Sequence, residues 1–514
     1  MFHLPQVKSI HLASANSLPK SSACLTVIAI DESAIVDGKI VLDALKQLDV
    51  EFEGTITDLV SCGDFTGKWL ESSVSLSTNR KISKRVVLIG AGKKVDYAPA
   101  RTRQIGIKAA EVALSIKAKE VLFVGACASL FADSEAYLQA RVGMGMGSYR
   151  YPNSNMSAEE KNNLESPLHV TFINAFPDFS EKLKTHEPVN DSIRICRLLQ
   201  DGPPNIVTPK YVSGCILEEA QKLGLQVQIF GAQKLKEMGF NAMLAVAGGS
   251  AQEPQFVVVE YKPAHFKKTI AFVGKGLTMD TGGYSIKTPS TNQEGMKYDM
   301  SGAAVCLTSI LAIAKLNLPV HVYAVGALCE NMVDAHAFRV GDVITSYSGK
   351  TIEIIDTDAE GRVVLSDALH YAAKDLKPDC IVEYSTLTGA MLVALGHVGA
   401  GVFAFDNDLE KRVMDASHKT GERAYPFPVW EEVASEVKGT ISDVCNLHTS
   451  RRFAGSMAAA AFLKEFVADV PYAHIDIAGV SDGNQAIGYV RKGGSGYGVQ
   501  LSIEIARSLS VYLE

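Results

Sequence analysis

The sequence is poor in the features that organise small extracellular or membrane chains. Its nine cysteines among 514 residues are an odd number with no Cys-x-x-Cys pair, which argues against a disulfide framework and suggests free thiols in a reducing compartment. No apolar run is long enough to span a bilayer, which argues against a membrane-embedded chain. Positive charge is not in excess: the formal net charge is -7. General affinity for nucleic acid or anionic membranes is therefore not expected, and short basic runs such as Lys81 to Arg85 read as solvated faces. There is no Gly-x-Ser-x-Gly nucleophile motif, and no internal repeat or low-complexity segment. The loop Gly90-Ala-Gly-Lys93 lacks the third glycine of a dinucleotide fingerprint and the spacing of a phosphate loop. No arginine precedes Arg80, whereas a mitochondrial presequence is normally Arg-rich. The expected location is cytoplasmic, with the mitochondrion as the alternative.

What is present suits a large soluble enzyme. The chain is too long for one hydrophobic core and implies about two to three domains, and an apolar fraction of 47% supports sizeable cores. The pattern splits near residue 190. Before it, strand-like runs at Leu25 to Ile30, Arg85 to Gly90 and Glu120 to Gly125 alternate with helix-like segments such as Ala98 to Ala118, an α/β arrangement. Val7 to Leu12 reads as a first strand, and residues 143–165, rich in Gly, Asn and Ser, read as a long loop. After the split, apolar strands are expected at Ile270 to Val273, His321 to Leu328, Thr351 to Ile355, Cys380 to Tyr384 and His474 to Ile477, with a helix over Met300 to Leu316. The expected fold is α/β: a smaller N-terminal α/β domain over 1–190 and a larger C-terminal α/β catalytic domain over 191–514, with a central, mostly parallel sheet.

Between the strand-like Thr351 to Ile355 and a helix-like run lies Asp356-Thr-Asp358-Ala-Glu360-Gly-Arg362, crowded with carboxylates. Upstream stand Lys275, Asp280, Lys287 and Asp299, set among glycines. Like charges at close range raise one another's pKa and destabilise a fold unless positive charge lies between them. Asp280, Asp299, Asp358 and Glu360 ionised would be neutralised by two divalent cations, which favours a two-metal hydrolase. Taken alone, Asp358-Ala-Glu360 reads equally well as a solvated turn with an acidic helix start. In Gly274-Lys275-Gly276 a lysine follows an apolar strand, and glycine lets backbone approach a ligand. Beside cations a lysine can lose its proton and act as a nitrogen ligand.

These residues carry a resemblance. The chain is similar to the leucyl aminopeptidases of the cytosol-aminopeptidase type, whose hallmark Asn-Thr-Asp-Ala-Glu-Gly-Arg is here Asp356-Thr-Asp-Ala-Glu-Gly-Arg362. The likeness continues through Val273-Gly-Lys-Gly-Leu-Thr-Met-Asp280, Met296-Lys-Tyr-Asp299, Glu330-Asn-Met332, Thr386-Leu-Thr-Gly389 and Ala473-His-Ile-Asp-Ile-Ala-Gly479. It implies that Lys275, Asp280, Asp299 and Glu360 hold one metal and that Asp280, Asp358 and Glu360 hold a second, more exchangeable one. It also implies that Lys287 is a catalytic lysine and that Arg362, with Gly361 and Leu387, binds a bicarbonate that shuttles protons. Zinc or manganese are the implied metals, with magnesium and cobalt compatible with oxygen-rich ligation.

The mechanism expected from that resemblance is attack of a bridging hydroxide on the first peptide carbonyl, with Lys287 stabilising the oxyanion. Substrates would be peptides with a free N-terminus, activity would rise toward alkaline pH as the amine deprotonates, and the assembly would be a homohexamer. Resemblance places the first side-chain pocket at Met296, Thr386, Gly389 and Ala454 to Met457, suited to Leu and similar residues, although Met296 and the Ala-rich helix after Met457 read equally well as core. Departures from the family pattern are Asp356 for Asn, Val333-Asp-Ala-His336 after Met332, Val340 before Gly341-Asp342, and Arg491 to Gly498 without an Arg-Pro. Three other classes fit these residues less well. A two-metal phosphoesterase normally ligates through histidine, and no histidine joins these motifs. Serine-nucleophile chemistry lacks its motif, since Ser301 and Ser366 fall in helix-like segments, and a catalytically dead scaffold or nucleic-acid binder would not need every ligand.

Overall fold

The computed structural model describes residues 7–8, 12–13, 23–93, 98–126, 130–152, 155–157, 168–173, 176–288, 292–448, 453–483 and 492–510. The chain divides into two compact units, Met1–Asn190 and Asp191–Glu514. The helix Phe179–Asp201 contains the boundary.

In the first unit the sheet order is Val7–Lys8, Leu168–Ile173, Glu120–Gly125, Ala23–Asp31, Ser83–Gly92 and Ser72–Leu76, with Leu12–Ala13 also pairing with Leu168–Ile173. The Ser72–Leu76 edge runs antiparallel to its neighbour, and the other pairs are parallel. The sheet is covered on both faces. Leu25, Val27 and Ala29 join one core cluster while Ile28 and Ile30 join the other, as the two-residue side-chain period of a strand requires. The expected loop at 143–165 needs correction. Residues 143–148 end a helix, Ser134–Ser148. Its glycines serve contact rather than turning: a Cβ on Gly143 would lie 1.9 Å from the Arg103 carbonyl oxygen, and one on Gly147 would lie 2.6 Å from that of Ile107. Both partners belong to the helix Pro99–Ser115, so the small residues let two helix backbones approach. Residues 149–152 and 155–157 are irregular, and 158–165 lie outside the described residues.

The second unit is built on an eight-stranded sheet among the described residues, in the order Gln226–Phe230, Gln255–Tyr261, His321–Asn331, Thr269–Asp280, Cys380–Ser385, Tyr472–Asp476, Ala400–Ala404 and Ala424–Pro426. The four middle strands are parallel. Ile270, Ala271, Phe272 and Val273 are fully buried, which explains their continuous apolar run. The helix Ser301–Lys315 lies tightly on this sheet. Gly302 permits it: a Cβ there would fall 2.0 Å from the Tyr384 carbonyl oxygen.

Candidate metal centre

The strand Thr269–Asp280 is longer than its apolar run suggests. Lys275 is not a strand-end residue; it sits mid-strand, and the same strand ends on Asp280. An interval of five would put these two side chains on opposite faces of a regular strand. The pairing with His321–Asn331 shifts between Leu277 and Met279. That bulge inserts one extra residue and returns Asp280 to the face of Lys275. The remaining groups come from the segment before the helix Ser301–Lys315, which supplies Asp299, and from the start of the helix Glu360–Tyr371, which supplies Glu360. These termini lie at the carboxyl ends of the parallel strands, where open α/β sheets bind ligands.

The groups converge. Lys275 Nζ lies 2.8 Å from Asp299 Oδ1 and 3.0 Å from Glu360 Oε1, and it donates to the Thr386 carbonyl at 3.0 Å. Lys287 Nζ lies 2.9 Å from Asp280 Oδ2 and 2.5 Å from Asp358 Oδ1. Lys275, Asp280, Asp299 and Glu360 are all buried. Gly361 makes room for the lysine, because a Cβ there would lie 2.4 Å from Lys275 Cε.

So much buried charge perturbs every group. Burial weighs against the Lys275 ammonium, but Asp299, Glu360 and Asp280 outweigh it and hold the group above the usual lysine range. Asp280, Glu360 and Asp358 do the same for Lys287. Burial pushes the Asp299 and Asp358 carboxyls up to about 7, with neighbouring carboxylates adding to the rise and lysine opposing it. Burial and Asp280 likewise raise Glu360. Three carboxyls raised in spite of two ammonium groups mark a cage still short of positive charge.

The donor set fits divalent cations. Asp280, Asp358 and Glu360 each offer an oxygen within 4.8 Å of the others. Among the described residues, buried Asp299 Oδ2 and Glu360 Oε2 have no hydrogen-bond partner, which is costly unless something binds them. Arg362, in the first turn of the same helix, is buried with Nε and Nη1 unpartnered among the described residues. Burial pushes it down to about 10 against the opposing charges of Glu360, Asp476 and Asp356.

Several residues that sequence reasoning left without a role orient these groups. Asn331 donates to Asp280 Oδ1 at 2.8 Å and to the Thr357 carbonyl at 3.0 Å, joining two ligand segments. Asn446 accepts from Ile355 N at 2.8 Å and donates to the Asp356 carbonyl at 2.6 Å. Asp356 Oδ1 accepts from Asp358 N at 2.8 Å, a local turn bond that an asparagine oxygen makes equally well. The only sequence signal for Asn331 was its place in Glu330-Asn-Met332.

Of the expected pocket residues, Thr386 donates to Asp299 Oδ1 at 2.7 Å, and the Met296 carbonyl accepts from Asp299 N at 3.2 Å, so both stand beside the cage. Leu387 N donates to Asp476 Oδ1 at 3.3 Å. Gly389 and Ala454 are exposed. Met457 is partly buried and packs with Met391, Phe403 and Ala460.

Comparison with known proteins gives the chain's family. The family model described as cytosol aminopeptidase family, catalytic domain, matches residues 194–503, and the one described as its N-terminal domain matches 29–156. A protein of Roseiflexus castenholzii described as a probable cytosol aminopeptidase is 36% identical over 456 residues, spanning 88% of this chain and 93% of its own. Among solved structures, a point mutant of tomato leucine aminopeptidase aligns with a TM-score of 0.86 at 29% identity, covering 98% of both chains. The bottromycin maturation enzyme BotP in complex with Mn aligns at 0.82 and 28%, covering 95% of this chain and 100% of its own.

Proposed function

The chain belongs to the cytosol aminopeptidase family, and from that premise we propose that it releases leucine and similar apolar N-terminal residues from peptides, at a site holding two divalent cations through Lys275, Asp280, Asp299, Asp358 and Glu360. Metal-dependent aminopeptidase chemistry is what the family does. The observation that carries the finer reading is the buried carboxylate cage in which one oxygen each of Asp299 and Glu360 lacks a partner among the described residues. Zinc or manganese suit this oxygen-rich set, as do magnesium and cobalt. When bound, such cations supply the positive charge that acidifies water and polarises a carbonyl.

The chain's own residues do the rest. Lys287, held protonated by its carboxylate neighbours, is suited to stabilise a developing oxyanion and unsuited to act as a base. Asn331 and Asn446 fix the ligand loops before substrate arrives. We assign Arg362, with the Gly361 and Leu387 backbone, to a bicarbonate site. A buried guanidinium in the first turn of a helix supports this, while the Leu387 N–H has to leave Asp476 to take part. Met296, Thr386, Gly389, Ala454 and Met457 are our reading of the first side-chain pocket. We further propose a homohexamer in the cytoplasm, each chain with 1–190 and 191–514 as its domains. Among the described residues no helix is long and apolar enough to cross a membrane.

The test is hydrolysis of Leu-p-nitroanilide and its N-acetylated analogue by chelator-stripped protein, with and without manganese or zinc. Metal-restored cleavage of the free-amine substrate alone is the expected result. Equal cleavage of both, or none with metal bound, overturns the reading.

A further inference from the structure

The loop Thr386-Leu-Thr388 touches two places at once. At one end Thr386 contacts the cage, accepting from Lys275 and donating to Asp299. At the other end Thr388 is the residue before the helix Gly389–Leu395. A threonine there usually caps the helix with its hydroxyl. This one makes no cap bond. Its Oγ1 lies 2.6 Å from Asp476 Oδ2 and 2.5 Å from Ser456 Oγ. An ionised carboxylate only accepts, and threonine has one hydroxyl proton, so the order is fixed: Ser456 donates to Thr388, which donates to Asp476.

Asp476 is fully buried. Besides Thr388 it accepts from Leu387 N at 3.3 Å and Ala478 N at 3.1 Å. Its charge acts on the buried Arg362 guanidinium, but no ion pair holds it directly among the described residues, so its contacts are those hydrogen bonds, and the loss of one leaves a buried carboxylate less satisfied. The far end of the relay is strained. Ser456 lies in the first turn of the helix Gly455–Lys464, which is preceded by Ala454 at φ 55°, a left-handed conformation that alanine keeps only when its surroundings enforce it. Ala454 and Met457 flank Ser456 in the segment read above as one wall of the first side-chain pocket.

We propose that Ser456, Thr388 and Asp476 are positioning residues that couple the pocket wall to the metal-ligand loop, so that filling the pocket aligns Thr386, Lys275 and Asp299. The inference rests on the aminopeptidase reading. Its consequence is that preference for a large apolar N-terminal residue is expressed in kcat, because an interaction realised only as the reacting groups align raises turnover rather than ground-state binding.

The experiment compares wild type, Thr388→Val and Thr388→Ser, all loaded with manganese, on Leu- and Ala-p-nitroanilide. Calorimetric binding of free leucine and alanine and bound metal per chain are measured alongside. Valine keeps the shape and removes the relay, and serine restores the hydroxyl. The expected result is that Thr388→Val shrinks the Leu-over-Ala ratio of kcat by about fivefold or more, the worth of one hydrogen bond. The leucine-to-alanine binding ratio and the metal content stay near wild type, and Thr388→Ser recovers the kcat ratio. If Thr388→Val fails to fold, Ser456→Ala removes the donor from the other end and carries the same expectation. An equal loss of kcat on both substrates, or serine behaving like valine, overturns the proposal. A wild type that cleaves neither substrate overturns the aminopeptidase reading itself.

Discussion

Replacing Gly361 with alanine perturbs Lys275 without substituting any proposed metal ligand. The added Cβ would stand 2.4 Å from Lys275 Cε, 2.7 Å from Cδ and 2.8 Å from Nζ. Carbon atoms in a packed interior sit at about 3.5–4.0 Å, so the lysine must retreat by roughly 1 Å. The tip of a surface lysine would do this at little cost. Here Nζ is held by Asp299 at 2.8 Å, Glu360 at 3.0 Å and the Thr386 carbonyl at 3.0 Å, and a retreat lengthens these contacts together. A displaced ligand or supporting group typically costs about 10–100-fold in metal affinity, equivalent to roughly 1.4–2.8 kcal/mol. The assay is calorimetric titration of chelator-stripped Gly361→Ala with manganese, alongside its thermal melt. The expected outcome is weakening of one of two binding events in that range, with the cooperative melt retained. Two unchanged binding events would refute the argument, for they would mean that Lys275 does not ligate metal.

Lys287→Ala should lower kcat by two orders of magnitude or more, since removing one preorganised oxyanion donor typically costs about 100–1,000-fold, while bound metal per chain stays at wild-type level. Parallel loss of metal would place Lys287 among the groups that assemble the cage instead. Metal loading should also release protons, and more of them at pH 6 than at pH 8.5. Asp299 and Asp358 are raised to about 7 in the metal-free protein, so they carry protons below that pH and have lost them above it, whereas a ligating Lys275 gives up its proton at both. The same shifts make these two groups favour the metal-free fold at low pH, an advantage that fades as pH rises through about 7. Calorimetry in buffers of different ionisation enthalpy measures the release, and equal release at both pH values would count against the raised carboxyls.

Much of this was legible in the residues. The helix over Met300 to Leu316 is found as Ser301–Lys315, and the parallel strands around the cage lie where continuous apolar runs put them. The crowding of Asp356 to Arg362 pointed to the cage once Lys275, Asp280 and Asp299 were added, because like charges brought together are costly without positive charge between them. Legibility failed where one residue type serves two purposes. Gly274 and Gly276 read as the end of a strand, yet the strand passes through them: a Cβ on Gly274 would meet the Gly302 carbonyl oxygen at 2.4 Å, and one on Gly276 would meet that of Ala327 at 2.6 Å. Gly143 and Gly147 misled in the same way, as helix contacts resembling a loop. Asn331, Thr388, Asn446 and Asp476 act through partners far away in the chain, and composition around them carries no trace of those partners. Asp356 reads as an extra charge beside the site: one of its oxygens accepts from the Asp358 N–H, and its charge acts on Arg362.

The bulge between Leu277 and Met279 gives the chain a kind of reading frame. Lys275 and Asp280 share a face only because the stretch between them holds an odd residue out. What lineages must preserve there is the number of residues more than their identity. Hydrophobic exchanges at Leu277 or Met279 leave that count standing, whereas loss or gain of a single codon turns Asp280 to the opposite face and puts the ligands on two sides of a wall.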